Sequence, residues 1–316
     1  MTLRLLQRVA VLLASLLVSS AIVFAFMAVL PGDPARVALG VNASEDAVAD
    51  LRRQFGLDRP LLAQYLGWLG GMTRFDLGQS YISRAEIAPQ IADRLQVTLW
   101  LVATAMVLAL VVAVPLGTVM AVRHREPTGF VLSSLSQVGV AVPAFLAGIL
   151  LITLFAVTLR WLPANGWTPP SQDPAMFAKQ LVLPALSLGL VQAAVLTRYV
   201  RSAVLDVLRE DYLRTARAKG LPPMAALRRH GLRNAAVPVV TVLGLQLATL
   251  LIGAVVVERV FVIPGLGSLL LDSVSNRDLI LVQDVVMILV VAVLLVNFVV
   301  DLLYLLIDPR LRVGAR

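Results

Sequence analysis

The chain has 316 residues, 59% hydrophobic and 15% charged, with a mean hydropathy of +0.87. A soluble domain of this length keeps roughly 25% charged residues, so the polar surface needed to face water on every side is missing. There is no cysteine and only two histidines, which excludes disulfides and thiolate metal sites and argues against a histidine-rich metal centre.

Six apolar runs are long enough to cross a bilayer, for which a helix needs about 20 residues. They are 9–30, 97–122, 130–159, 181–200, 235–257 and 285–307. Arg4 and Arg8 precede the first run, as in a signal peptide, but its apolar core is too long and no small-x-small site follows. It reads as a retained anchor. With the N-terminus inside, the inner segments hold 16 basic and 5 acidic residues, and the outer segments 11 and 13. Cytoplasmic loops carry the excess of bases, so both termini are expected in the cytoplasm. The net charge of +8 is then a topology signal, and nucleic acid is not the expected partner. The chain divides into 1–30 (inner end and first span), 31–96 (outer segment), 97–308 (five-span core with an inner loop at 206–234) and the inner tail 309–316.

The outer segment carries two helix signatures. Val48, Leu51 and Phe55 share a face after Ser44 and stop at Gly56; Pro60 then opens 60–69, with Leu62, Tyr65, Leu66 and Leu69 as its apolar set. A small folded cap and a membrane-skimming spacer both fit this pattern. Further on, Pro115, Pro143 and Pro184 interrupt spans two, three and four, near Gly117, Gly148 and Gly189. Proline removes a backbone donor and small residues let helices approach, so these points are either plain packing or bends around a pathway. Ionisable groups within the predicted spans are scarce. Asp301 and Arg198 lie near inner ends, and an ion-coupled carrier would place carboxylates mid-membrane.

Nine of the inner bases fall between Arg198 and Arg233. There Leu205, Leu208, Tyr212 and Ala216 recur at helical spacing, acids (Asp206, Glu210, Asp211) precede bases (Arg214, Arg217, Lys219), and Glu210 and Arg214 stand at i,i+4. Gly220 suits a helix end and Pro222–Pro223 a helix start. Anionic lipid head groups would account for the bases. A helix–Gly–Pro–helix with an apolar stripe suits a protein socket better.

This loop resembles the cytoplasmic "EAA" loop of binding-protein-dependent ABC importer permeases, with Arg214, Thr215, Ala216 and Gly220 at the matching positions and the leading Glu replaced by Arg214. Further likeness to the dipeptide/oligopeptide branch runs through Pro31-Gly32-Asp33-Pro34, Gly56-Leu57-Asp58-Arg59-Pro60-Leu61, Phe75-Asp76-Leu77-Gly78-Gln79-Ser80, Leu183-Pro184-Ala185-Leu186, Pro264-Gly265-Leu266-Gly267 and Arg277-Asp278. The resemblance implies an all-α integral membrane protein with six transmembrane helices, the type I ABC importer permease fold and a small helical extracytoplasmic segment after helix 1. It is similar to the first of two permeases in a bacterial cytoplasmic-membrane importer. On that likeness Tyr212, Arg214, Thr215, Ala216, Arg217, Lys219 and Gly220 couple to two cytoplasmic ATPases, which bind ATP and Mg. A solute-binding lipoprotein delivers cargo outside, where Pro264, Gly265, Gly267 and Asp278 lie near the mouth; a plain re-entrant connector is the other reading of that segment. No G-x-x-x-x-G-K-[S/T] occurs, so no phosphate-cradling loop is expected here and the chain is read as a non-catalytic subunit without a bound cofactor or metal. The family imports di- and oligopeptides, and relatives carry glutathione, nickel, haem or sugars. The rival is a self-contained ion-coupled carrier or channel.

Overall fold

The structure is a computed structural model that describes residues 2–30, 32–40 and 42–307. Pro31, Asp308 and the predicted tail 309–316 lie outside the described residues. Everything regular in it is helical: among the described residues the only β feature is one isolated bridge, Gln79 to Glu86. Among the described residues, five helices are long and apolar enough to cross a membrane, and one bent pair of helices, taken as a single span, makes a sixth. That matches the six predicted spans, with one of them broken.

The described residues fall into two compact units. The first joins residues up to Thr98 with Pro264–Leu295. It holds α1 (Thr2–Val29), α2 (Pro34–Leu39), α3 (Glu45–Gln54), α4 (Leu61–Thr73), the start of α5 (Ile87–Val122), α12 (Leu266–Ser275) and the first half of α13 (Leu279–Ile307). Side-chain caps set the short helices: Asp33 accepts from Ala35 N–H and Ser44 from Ala47 N–H. Ala35, Val48 and Leu51 then close a small satellite core, with Arg52 paired to Asp33 at 2.9 Å. A second core joins Ile87 and Ile91 of α5 to Leu266 and Leu269 of α12 and to Leu281 and Val285 of α13. The segment read as turn-rich before the last span therefore contains a helix of 10 residues.

The second unit runs from Leu99 to Ile263 and resumes at Val296. It holds most of α5, then α6 (Pro127–Ala141), α7 (Ala144–Leu151), a π-helical extension Ile152–Thr158, α8 (Pro174–Leu208), α9 (Asp211–Ala218), α10 (Pro223–Ala226), a second π-helical stretch Leu227–Gly231 and α11 (Leu232–Val260). Of the three candidate bending prolines, Pro143 alone stands at a helix break, where the third span turns by 97°. Pro115 and Pro184 lie inside helices that run on past them. The glycines beside them are packing positions. A Cβ at Gly117 would meet the Thr197 carbonyl at 2.8 Å, and one at Gly189 the Ala105 carbonyl at 2.9 Å, so α5 and α8 touch backbone to backbone.

Candidate functional site

The elbow between α8 and α11 is built on one apolar cluster. Val200, Ala203, Val204 and Val207 from α8 meet Leu213 and Ala216 from α9, Ala226 and Leu227, and Ala235 and Val239 from α11. Leu213 and Leu227 are fully buried. Burial of such a leucine contributes about 1.5–3 kcal/mol relative to exposure. The α9 segment is thus fixed to the long helices rather than hung between them.

The register differs from the sequence pattern. The pattern carried one helix through Tyr212, but α8 ends at Leu208 and Glu210 is extended (φ −66°, ψ 142°), so α9 restarts at Asp211. The break turns Leu213 and Ala216 inward and leaves Tyr212 on the rim, 38% exposed, its hydroxyl accepting from Asn234 Nδ2 at 2.8 Å. The i,i+4 pair of Glu210 and Arg214 is replaced by Arg214 with Asp211 at 3.4 Å. Thr215 donates its hydroxyl back to the Asp211 carbonyl at 3.0 Å. Arg214, Arg217 and Lys219 are all exposed.

Gly220 ends α9 as the sequence predicts. Its φ is +93°, its N–H bonds the Arg217 carbonyl at 2.9 Å, and the next N–H, of Leu221, reaches the Ala216 carbonyl at 3.3 Å. These two bonds are the Schellman pair that satisfies the last carbonyls of a helix. Leu221 packs against the elbow cluster, so the cap is tied to the core. Pro222 and Pro223 then start α10.

In the first unit, the other predicted site residues form a loop and its anchor. Gly265 caps α12, and the Leu266 N–H donates to Thr98 Oγ1 at 2.8 Å. Pro264 is half-buried, whereas Gly265, Gly267 and Asp278 are buried within this unit. Asp278 accepts from the Ser80 hydroxyl and, at 3.2 Å, from the Tyr81 N–H. Ser80 Oγ in turn accepts from the Ile82 and Ser83 N–H groups at 3.2 and 2.9 Å. Two stretches that carried the family likeness, ending in Ser80 and Asp278, therefore meet in space. Tyr81 stacks on Phe55 with ring centroids 4.2 Å apart, and the Arg84 guanidinium carbon lies over the Phe55 ring, 4.6 Å from its centroid. Burial pushes the Tyr81 phenol up to about 12, with the charges of Asp284 and Asp278 adding to it.

Asp284 was missed by hydropathy, which began the last span at Val285. It is fully buried, and its Oδ1 accepts from Trp68 Nε1 at 2.7 Å. The signal was available: Leu281, Val282 and Val285 continue the helical apolar pattern back across it. Among the described residues, no group of three or more His, Cys, Asp or Glu is placed to hold a metal.

Two family models match this chain. Residues 113–313 match the binding-protein-dependent transport system inner membrane component, and residues 1–102 match the N-terminal part of the membrane component of such systems. The chain belongs to this family. It is 42% identical over 310 residues to the glutathione transport system permease protein GsiC of Escherichia coli (strain K12), covering 97% of each chain. The GsiC protein of Salmonella choleraesuis is 42% identical over 311 residues, covering 97% of this chain and 98% of that one. Among solved structures, a chain of the MetNI methionine ABC transporter superposes with a TM-score of 0.57 at 18% identity, over 69% of this chain and 96% of that one. An amino acid ABC transporter chain gives 0.50 at 18% identity, over 68% and 93%. These last two show the shared fold. The protein is a multi-pass inner-membrane permease of an ABC importer, a family that works with an ATPase and a binding protein.

Proposed function

We propose that this permease forms, with a second homologous permease, the pathway by which peptides or a peptide-like solute enter the cell, and that α9 is its coupling element. Cargo comes from an extracytoplasmic binding lipoprotein, and two cytoplasmic ATPase subunits hold the ATP and Mg. The full-length likeness to glutathione permeases supports a small peptide-like cargo, since glutathione is itself built from amino acids. The apolar exposed faces of the spans, such as Val107, Val111 and Ile252, suit membrane lipid. Both termini and α9 face the cytoplasm in this reading, on the strength of the charge asymmetry.

One observation carries the coupling role: α9 has two differently committed faces. Leu213 and Ala216 lock it to α8 and α11, while Arg214, Arg217 and Lys219 are left outward. A push on the outward face is delivered directly to the ends of two long helices. Closure of the ATPases on ATP would then switch the pathway between two states, and binding on either side would bias the other reciprocally. Arg214 stands where the wider family has Glu, so the outward face presents cations and the facing ATPase groove is expected to present acids or carbonyls.

The test is charge reversal. Arg214, Arg217 and Lys219 are each changed to Glu, and the transporter is purified through a tag on the ATPase. Membrane abundance should stay unchanged, while co-purification and peptide-stimulated ATP hydrolysis fall together. Retention of both in the triple variant overturns the role given to α9.

A further inference from the structure

The α4 helix, Leu61–Thr73, is 13 residues long and has no buried residue. That is too short to span a bilayer; an apolar helix of about 10–14 residues is a core helix or an interfacial one. With nothing buried, it is not a core helix. No charged residue lies between Arg59 and Arg74, so the ends of the helix are marked by two long cationic side chains that can reach back to head groups.

Its contacts set its depth. Tyr65 OH is 2.9 Å from Ser20 Oγ, and the Tyr65 ring meets Phe24 edge-on at 5.4 Å. Ser20 is fully buried and lies nine residues inside the end of α1 at Val29. At 1.5 Å per residue that is about 13 Å down a spanning helix. Trp68 donates to Asp284, which lies five residues into α13 from Leu279. That is about 7 Å down another. Half of a hydrocarbon core is about 15 Å thick, so two separate contacts put α4 below the membrane surface.

The polar groups of α4 agree with that depth. Besides Tyr65 and Trp68, Gln64 Nε2 donates to the Leu57 and Arg59 carbonyls at 3.3 and 2.8 Å, and Thr73 donates to Gly70 at 2.9 Å. Every polar side chain of the helix has a partner within the protein, as a segment without water requires. A quarter-turn from the Tyr65–Trp68 face, Leu62, Leu66 and Leu69 form a stripe at i, i+4 and i+7, with Leu62 68% and Leu66 57% exposed.

We propose that α4 is a half-inserted helix, seated in the outer leaflet against α1 and α13, and that lipid acyl chains cover Leu62 and Leu66. The extracytoplasmic segment is then a cap with one helix sunk beneath it, so the folded-cap and membrane-skimming readings each describe part of it. Through Ser20–Tyr65 and Trp68–Asp284, α4 cross-braces the first and last spans within the bilayer. The outer leaflet follows from the orientation proposed above; the insertion itself does not.

This chain has no cysteine, so an introduced cysteine is its single labelling site, and label on the partner subunits is read from the transporter carrying the unsubstituted chain. Leu62→Cys, Leu66→Cys and, as a control on α3, Asp46→Cys are introduced into the assembled transporter in lipid vesicles without binding protein. Each carries a nitroxide. Collision with oxygen, which concentrates in hydrocarbon, should dominate at positions 62 and 66, and collision with a water-soluble nickel chelate at 46. Nickel access at 62 and 66 equal to that at 46 overturns the insertion. Protection that appears only when the binding protein is added makes the occupant a protein and overturns it as well. In cells, Asp46→Cys without nitroxide reached by an impermeant maleimide only after permeabilisation overturns the orientation, and with it the leaflet, independently of the oxygen result.

Discussion

Replacing Gly220 tests whether the elbow works as a fixed geometry or merely as a basic patch. At φ +93° an ordinary residue pays about 1–2 kcal/mol to hold the left-handed conformation, and a β-branched one up to about 3. A Cβ placed there has no neighbour within 4 Å, so the penalty is one of backbone alone and leaves the core untouched. A Val can escape it only by giving up the bonds from Gly220 N–H to Arg217 and from Leu221 N–H to Ala216. About 2 kcal/mol is a factor of about thirty between capped and uncapped forms. If only the capped form fits the ATPase, apparent affinity drops by up to that factor once capping becomes the minority state. The series Gly220→Asn, Gly220→Ala and Gly220→Val should weaken ATPase co-purification progressively, Asn least because it tolerates this region. No charge changes in the series, so a lipid-attracting patch predicts no trend. Equal co-purification and equal stimulated hydrolysis for Val and wild type would refute the reasoning.

Three further outcomes follow from the first unit and the end of α11. Asp278→Ala leaves the buried Ser80 hydroxyl and the Tyr81 N–H without their acceptor, at about 1–3 kcal/mol; the thermal midpoint in detergent should fall, less so for Asp278→Asn, and an unchanged midpoint would show the network to be dispensable. The Tyr81 phenol is raised to about 12 chiefly by burial, so the fold favours its neutral form. That preference is complete below the ordinary value near 10 and is lost as pH rises from 10 through 12. A difference absorbance titration against Tyr81→Phe should show no phenolate from this residue at pH 10, and a midpoint there would contradict its burial. Val262 holds φ +51° at the end of α11, where its N–H and that of Ile263 bond Arg259 and Glu258 at 3.4 and 2.8 Å. Val262→Gly should therefore stabilise by about 1 kcal/mol, readable as a higher midpoint, and a lower one would deny the strain.

Hydropathy found every span but placed several ends wrongly, because it reads partition into oil and not helix continuity. The α5 helix starts at Ile87, ten residues before the predicted run, since Ile87 and Ile91 recur at i,i+4 on one face while Gln90, Asp93 and Arg94 depress the average. The same blindness set Asp284 outside the last span, although its helix begins at Leu279. Helix ends governed by local chemistry were legible: Ser44, Gly56 and Gly220 each stand where the sequence puts a cap. Pairings over long separation were not. Ser80 and Asp278 could each be recognised as part of a recurring stretch, but nothing local says that a hydroxyl will find a carboxylate 198 residues away.

The two departures at α9 and α4 have a common origin. Periodicity assigns one apolar face per helix, yet each of these short helices touches two different media. In α9 a single extended residue, Glu210, shifts the register so that Leu213, not Tyr212, faces the core. In α4 the predicted set of Leu62, Tyr65, Leu66 and Leu69 splits: Tyr65 turns to Ser20 and Phe24, and Leu62 and Leu66 turn away. A hydrophobic residue in a membrane protein is satisfied equally by a neighbouring helix or by lipid, so the pattern cannot tell these faces apart. A hydrogen-bonding group can, since in hydrocarbon it must find a protein partner. The positions of Tyr65, Trp68 and Gln64, more than those of the leucines, are what fix how α4 sits.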